Sequence, residues 1–313
     1  MRWLGVAAVS SALLLVGVAA FSQGSASAEV SALPGHILFT RAGGRFGDET
    51  LYVSKADGTS QRRLSKFGRT CCPWATRSGS RIVYGGSTPD TRITTVTANL
   101  DGSKRTVLPL PEGTLELASG PFSPDGKTLA REGFGKPGEA GIYLTRVSDG
   151  KVIRRVTRRR FIPGDFSPDG KQLVVFAQPG GGDPRPGSLW LIRTSGKGLH
   201  RLTPNTMRVQ CCGNYRWSPD GRKILFADAG GVLWTIDPDG SNLTAVYKDS
   251  SGRYAITPTW SPDGSMIMFA LDPTPDPFVH PANSLYVVGA DGTALTKVLG
   301  GSNFKRSPVW VSR

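Results

Sequence analysis

The chain has 313 residues, with 38 Lys and Arg against 24 Asp and Glu, so its formal net charge is +14. After residue 21, no apolar run approaches the roughly 20 residues of a membrane-spanning helix, which argues against an integral membrane protein of that type. The length suffices for one large domain that buries about three quarters of the surface exposed by its unfolded chain.

The first 28 residues have the pattern of an export signal. Arg2 supplies a positive start, residues 4–21 are apolar, and Ala26-Ser27-Ala28 provides small residues for cleavage. No Cys lies near the cleavage point, so a lipid anchor is not expected. We therefore expect a signal peptide at 1–28 and a mature domain at 29–313, secreted or retained in the periplasm or cell envelope, with no membrane span.

A tetrapeptide, Ser-Pro-Asp-Gly, follows Phe or Trp four times, after Phe122, Phe166, Trp217 and Trp260. We interpret residues 74–79 as a degenerate copy beginning at Trp74, and residues 308–312 as the start of another around Trp310. Along the chain, these six aromatic residues are 48, 44, 51, 43 and 50 residues apart. Periods of this size indicate a propeller or a solenoid.

A second signature keeps step with the first: a short aliphatic strand, usually containing an aromatic residue, ends in an Asp-Gly or Ser-Gly turn. Its six turns are at 57–58, 101–102, 149–150, 195–196, 239–240 and 291–292. Each period leaves room for four short strands, which need radial repetition to protect their edges. The sequence therefore predicts an all-β fold, a six-bladed β-propeller of four-stranded blades.

The repeated turn residues have a structural explanation. Pro presets the second turn position, Asp bonds local backbone, and Gly takes the left-handed position. Calcium would require six to eight oxygens converging on one point. We therefore interpret the repeated aspartates as turn formers and not as metal ligands.

These motifs resemble a known family. The pattern aromatic-Ser-Pro-Asp-Gly-Lys-x-aliphatic, followed by Leu-Tyr-Val-x-x-Ala-Asp-Gly-Thr, is similar to the TolB-type propeller repeat, a WD-like repeat also found in the propellers of prolyl-oligopeptidase relatives. The resemblance implies six blades, location outside the cytoplasm and an often non-enzymatic role in protein interaction. TolB itself carries an α/β domain ahead of its propeller, and residues 29–313 are expected to form the propeller alone.

Ring closure follows from where the repeat is cut. Residues 36–40 match the strand after a Ser-Pro-Asp-Gly turn but lack the strand that should precede it. Residues 308–312 are that missing strand, so we expect the C-terminal strand to pair with the N-terminal blade and remove an exposed edge.

Strand alternation sorts the connections onto two faces. The Ser-Pro-Asp-Gly and Asp-Gly turns share one, the short-turn face. The other, the long-loop face, carries the segments that join blades and the loops at 43–50, 85–91, 133–141, 178–188 and 272–284. Because binding sites concentrate on loops held by a rigid scaffold, we expect function on the long-loop face.

The segments that join blades on this face are mostly basic. The candidate binding residues are Lys66, Arg69, Arg158, Arg159, Arg160, Arg208, Arg253, Lys305 and Arg306. Such a cationic rim predicts a protein partner or an anionic cell-envelope polymer, and the alternative is a charged surface that only keeps the protein soluble. Nucleic acid is not expected because of the export signal, and the propeller is expected to be a monomer.

The four cysteines form two adjacent pairs, Cys71-Cys72 and Cys211-Cys212, in equivalent positions of blades 2 and 5. In an exported protein, an even count favours disulfides, and our first choice is one bridge within each pair. A bridge across the channel and a four-thiolate metal site are the alternatives.

Residues for catalysis are few. No Gly-x-Ser-x-Gly motif occurs, and the three histidines, His36, His200 and His280, fall in blades 1, 4 and 6. We expect a non-enzymatic binding propeller with no catalytic residue, metal or cofactor. The alternative is a propeller enzyme, of the polysaccharide lyase or lactonase type, with a metal in the channel.

Overall fold

The computed structural model describes residues 33–42, 49–65, 70–87, 93–110, 116–136, 138–178, 187–211, 214–274 and 284–312. Within these ranges it contains 24 β-strands and no helix, arranged as six four-stranded antiparallel sheets. The all-β, six-bladed propeller is confirmed. The expected signal peptide lies outside the described residues.

In each blade, the four strands follow one another from the channel to the outer edge. Blade 1 consists of β24 (Phe304–Val311), β1 (His36–Ala42), β2 (Thr50–Lys55) and β3 (Arg62–Arg63). Blade 2 consists of β4 (Cys71–Ala75), β5 (Arg81–Ser87), β6 (Ile93–Asn99) and β7 (Thr106–Leu108). Blade 3 consists of β8 (Glu116–Leu117), β9 (Thr128–Phe134), β10 (Gly141–Arg146) and β11 (Val152–Thr157).

The second half of the ring repeats this order. Blade 4 consists of β12 (Phe161–Phe166), β13 (Gln172–Ala177), β14 (Ser188–Arg193) and β15 (His200–Arg201). Blade 5 consists of β16 (Arg216–Trp217), β17 (Ile224–Ala227), β18 (Leu233–Ile236) and β19 (Thr244–Tyr247). Blade 6 consists of β20 (Tyr254–Trp260), β21 (Met266–Asp272), β22 (Leu285–Gly289) and β23 (Thr296–Leu299).

The ring closes through blade 1. Strand β24 pairs antiparallel with β1, so that Val311 lies opposite His36 and Trp310 opposite Ile37. The indole nitrogen of Trp310 donates a hydrogen bond to the carbonyl oxygen of Pro34 at 2.8 Å. The predicted pairing of the C-terminal strand with the N-terminal blade is confirmed.

The core lies between blades, because alternate residues of a strand face opposite sides of its sheet. In β1, Ile37 and Phe39 pack in one cluster with Met268 of blade 6. Leu38, which lies between them, packs in another cluster with Ile82 of blade 2. Every blade is therefore apolar on both faces, which fixes the register of its strands.

The Ser-Pro-Asp-Gly turns confirm their structural interpretation. In all four, the Ser hydroxyl donates to the Asp Oδ1 at 2.6 Å, and the same oxygen accepts the backbone N–H two residues later. The turn glycines have φ between 69° and 77°, a left-handed conformation that a β-carbon penalises. The aspartates thus act as acceptors for their own turns.

Three inner strands carry a β-bulge in their pairing with the next strand. Register shifts occur between Cys71 and Trp74, between Pro163 and Asp165, and between Ile256 and Thr259. Hydrogen bonds near the channel also join different blades. The side chain of Asn214 in blade 5 donates to the carbonyl oxygen of Thr257 in blade 6 at 3.3 Å, and to that of Pro308 in blade 1 at 3.4 Å.

Candidate functional site: the two ends of the central channel

On the long-loop face, the structure exposes part of the predicted basic rim. Arg158, Arg159 and Arg160 are exposed in the segment between β11 and β12, and Arg208 is exposed between β15 and β16. Lys66 and Arg69 lie outside the described residues. The arginine run is the part of the predicted rim that presents three adjacent cations to solvent.

Two other predicted rim residues are buried in blade 1. Lys305 is 3% exposed, and its ammonium donates to the carbonyl oxygen of Asn303 at 2.9 Å. Burial, with the nearby charges of Arg41 and Lys297, lowers the pKa of Lys305. Arg306 forms an ion pair with Glu49 at 2.7 Å, and both side chains are nearly enclosed. These two residues therefore hold blade 1 together near the channel.

Arg253 is committed to its own segment, between β19 and β20. Its guanidinium meets the Asp249 carboxylate at 2.8 and 3.1 Å and donates to the Tyr286 hydroxyl at 3.1 Å. Burial raises the pKa of Asp249, but hydrogen bonds from Arg253, Ser251 and Tyr247 outweigh it and hold that pKa well below its usual range. The charge of Arg253 is thus balanced locally.

The cysteine pairs are only partly described. Cys72 and Cys211 are exposed, whereas the side chain of Cys71 and the whole of Cys212 lie outside the described residues. Cys72 has φ of 53° and forms the bulge of β4. The two vicinal bridges remain predictions.

The histidines do not meet at the channel mouth in the described part of the chain. His36 lies in β1 of blade 1 and His200 in β15 of blade 4, while His280 lies outside the described residues. Within the described ranges, no group of three or more His, Cys, Asp and Glu side chains is arranged to hold a metal ion. Those ranges also contain no helix long and apolar enough to cross a membrane.

On the short-turn face, the lining of the channel mouth is understood only after the repeat in blade 2 is realigned around Trp74. In blade 2, the N–H of Thr76 donates to the carbonyl oxygen of Arg81, just as the N–H of Ser218 donates to that of Lys223 in blade 5. Ala75 therefore occupies the position of the repeat aromatic. The prediction that Trp74 is that aromatic was wrong by one residue.

The position before the repeat aromatic forms a ring around the axis, one residue from each inner chain segment. In order from blade 1 to blade 6, this axial ring consists of Val309, Trp74, Pro121, Asp165, Arg216 and Thr259. Only Asp165 and Arg216 in this set carry a charge, and they belong to neighbouring blades. Aligning the repeat copies at the residue before each aromatic would have identified Asp165 and Arg216 from the sequence. Including Trp74 in the same set requires the corrected alignment of blade 2.

Arg216 extends across the channel to the opposite blade. Its guanidinium carbon lies 3.6 Å from the ring centroid of Trp74, a cation–π contact. The residue is 7% exposed, and among the described residues neither Nε nor Nη2 has a hydrogen-bond partner. Burial lowers the pKa of Arg216 to about 10, although Asp165 opposes this, so the group stays cationic at neutral pH.

Asp165 is placed beside Arg216 by the bulge in β12. A β-carbon on Gly164 would lie 2.9 Å from atoms of Tyr215 and Val174, so only glycine fits that close approach. The Oδ2 atom of Asp165 accepts the backbone N–H of Trp217 at 3.2 Å. Burial raises the pKa of Asp165, against the opposing charges of Arg216 and Arg77.

These residues line a cavity of about 210 Å³ at the channel mouth. Its walls include Arg216, Asp165 and the exposed Arg77, with the rings of Trp217 and Trp260 beside them. Two arginines face one carboxyl group, so the site has an excess of positive charge. Such an arrangement can bind an anion.

Comparison with known proteins agrees with this architecture. A family model described as the TolB beta propeller domain matches residues 48–313. The chain belongs to the TolB β-propeller domain family. The TolB-type repeat that the motifs predicted is thus confirmed by the match to the family model.

Solved structures with low sequence identity share the fold. TolB from Acinetobacter baumannii is 21% identical with a TM-score of 0.68, and the match covers 88% of this chain and 66% of that one. The structure described as putative TolB from Agrobacterium tumefaciens is 18% identical with a TM-score of 0.65, over 88% of this chain and 98% of that one. Hydrazine synthase from Kuenenia stuttgartiensis is 13% identical with a TM-score of 0.63, over 90% of this chain and 48% of that one.

Proposed function

We propose that this TolB-family propeller is an exported, non-catalytic scaffold that binds an acidic protein or an anionic envelope polymer through its long-loop face. The observation that carries the proposal is the run Arg158 to Arg160, three consecutive exposed cations. Among the ion pairs of the described residues, none involves this run. Burial raises the pKa of Glu132 and the charge of Arg160 opposes that shift, so Arg160 is partly balanced locally. The charges of Arg158 and Arg159 are therefore the ones most available to a partner.

The position of the run supports recognition because its backbone is held at both ends. The segment joins β11 to β12, and the backbone N–H of Arg159 donates to the Thr157 hydroxyl at 3.1 Å. A partner that binds here loses little free energy in ordering the protein backbone, which favours affinity. In contrast, Lys305 and Arg306 contribute to the stability of blade 1, and we remove them from the proposed rim.

The proposal is tested by replacing Arg158, Arg159 and Arg160 together with Ser. Wild-type protein should bind poly-L-glutamate and isolated cell envelope at low salt, and retention should fall as salt rises, because exposed charges are screened over about 10 Å at 0.1 M ionic strength. The triple variant should bind at least about tenfold more weakly, a loss of about 1.4 kcal/mol. Binding is measured by co-sedimentation and by titration calorimetry.

A matched control removes the same charge from the other face. Lys127, Lys171 and Arg222 are exposed, and each follows the Gly of a Ser-Pro-Asp-Gly turn. Their replacement by Ser should leave binding within about twofold of wild type, since contacts beyond a Debye length are screened. Equal losses of affinity in the two triple variants would show that binding depends only on net charge and not on the arginine run. Absence of binding by the wild-type protein would reject the proposed scaffold.

A further inference from the structure

The channel mouth on the short-turn face holds an incompletely paired guanidinium. Nε and Nη2 of Arg216 lie on the same edge of the group and are both buried without a partner among the described residues. Buried donors are nearly always satisfied, and leaving one unpaired costs free energy. In an arginine these two atoms form the fork that can bind a carboxylate through two parallel hydrogen bonds. Both are closed to solvent here, so a ligand must displace part of the adjoining wall to reach them.

The guanidinium is also held in place before any ligand arrives. It lies over the ring of Trp74, which belongs to the blade on the opposite side of the channel. Stacking uses the face of the guanidinium and leaves its N–H edges for other contacts. Because the group is already ordered, a ligand does not have to restrict its motion.

Size and charge select the class of ligand. A cavity of about 210 Å³ is smaller than pockets for drug-sized molecules, which span about 300–1,000 Å³, so it suits a group of a few atoms. Asp165 lies at the same mouth and would repel a dianion more strongly than a monoanion. A carboxylate is planar and singly charged, and it can share a proton with a neighbouring carboxyl group.

We propose that this mouth binds a carboxylate group, with Arg216 as the principal donor, Arg77 as a second cation at the rim and Asp165 beside it. The site lies on the face opposite the arginine run, so it is independent of the function proposed above. The carboxylate can come from a free small acid, from a peptide C-terminus or from an acidic side chain. All three present the same chemistry to Arg216.

Four probes distinguish these sources. They are acetate, N-acetyl-trialanine with a free C-terminus, its C-terminal amide, and the amidated peptide N-acetyl-Ala-Glu-Ala. Binding to the full-length protein is followed by calorimetry and by tryptophan fluorescence, because Trp217 and Trp260 line the cavity. At least one carboxylate probe should bind, and the trialanine amide should not. The identity of the binding probe assigns the source.

The decisive variant is Arg216→Thr, which gives blade 5 the residue that blade 6 has at the equivalent position, Thr259. It should retain the native circular dichroism spectrum and bind the carboxylate at least about tenfold more weakly. Arg77→Gln should weaken binding by a smaller factor. Arg222→Gln, an exposed arginine of blade 5 on the same face, should leave affinity unchanged.

Three outcomes would overturn the proposal. No binding of any carboxylate probe would show that the buried edge of Arg216 does not receive a carboxylate. Equal affinity of wild type and Arg216→Thr would place any binding elsewhere. Tighter binding of inorganic phosphate than of every carboxylate would show that the site does not select the proposed class. If Arg216→Thr fails to fold, Arg77→Gln still tests the site, and its unchanged affinity would count against it.

Discussion

At the scale of single residues, the spacing of a motif mattered more than its composition. Trp74 precedes Gly79 by five residues, whereas Trp217 precedes Gly221 by four. That extra residue places Trp74 in the axial ring, so its side chain packs in the core between blades 2 and 3, whereas Ala75 packs between blades 1 and 2. The contact between Trp74 and Arg216 could not be predicted from local sequence, because it joins residues of opposite blades.

Trp74 should therefore be a strong determinant of stability. It packs in the core cluster that contains Phe122 and Leu129, and it also supports Arg216. Trp74→Ala should destabilise the protein by about 3–5 kcal/mol, the usual cost of truncating a buried Trp. Urea unfolding measures the loss, and Trp74→Phe should recover part of it. A change below about 1 kcal/mol in the alanine variant would contradict this role.

At the scale of elements, the sequence predicted the turns and the ring closure well because both depend on local residue type and on the phase of the repeat. It predicted the basic rim less well, since Lys305 and Arg306 belong to strand β24 and their side chains are largely enclosed within blade 1. Their burial depends on the bulge around Ser307, which has φ of 51°, and on Glu49 from another strand connection. Neither feature follows from the charge pattern.

Strand β24 should control whether blade 1 forms. Deleting residues 307–313 removes three of the six residue pairs that β24 forms with β1, together with the packing of Trp310. We expect the shortened protein to melt at a markedly lower temperature or to remain unfolded, measured by circular dichroism. Deleting 312–313 is the control, because it leaves β24 intact. Equal melting temperatures for the two truncations would refute closure by this strand.

At the scale of the whole molecule, the turn aspartates form a repeated source of acid sensitivity. Hydrogen bonds from the turn Ser hydroxyls, first, and from backbone N–H groups lower the pKa values of Asp125, Asp169, Asp220 and Asp263 below 3.8. A carboxylate with a lowered pKa in the folded state contributes stability above its unfolded pKa, and that contribution is lost as pH falls through the folded pKa.

The urea concentration at the unfolding midpoint should accordingly decrease when the pH is lowered from about 7 to about 3, because these carboxylates begin to protonate there. Replacing Ser123, Ser167, Ser218 and Ser261 together with Ala removes the hydroxyl donors and returns the folded pKa values toward 3.8. The quadruple variant should be less stable near neutral pH. The difference between its urea midpoints at about pH 7 and about pH 3 should be smaller than that of the wild type. An unchanged difference would assign the acid sensitivity to other groups.

The order of synthesis gives the closure of blade 1 a consequence for the timing of folding. Trp310 bonds to Pro34 across 276 positions of sequence, so the first blade stays without its inner strand until residues 304–311 have been made. Contacts of such long range delay folding, because the intervening chain must be brought together first. A chain that cannot close its ring early stays open for longer, and an open chain is the form that a translocation channel can thread.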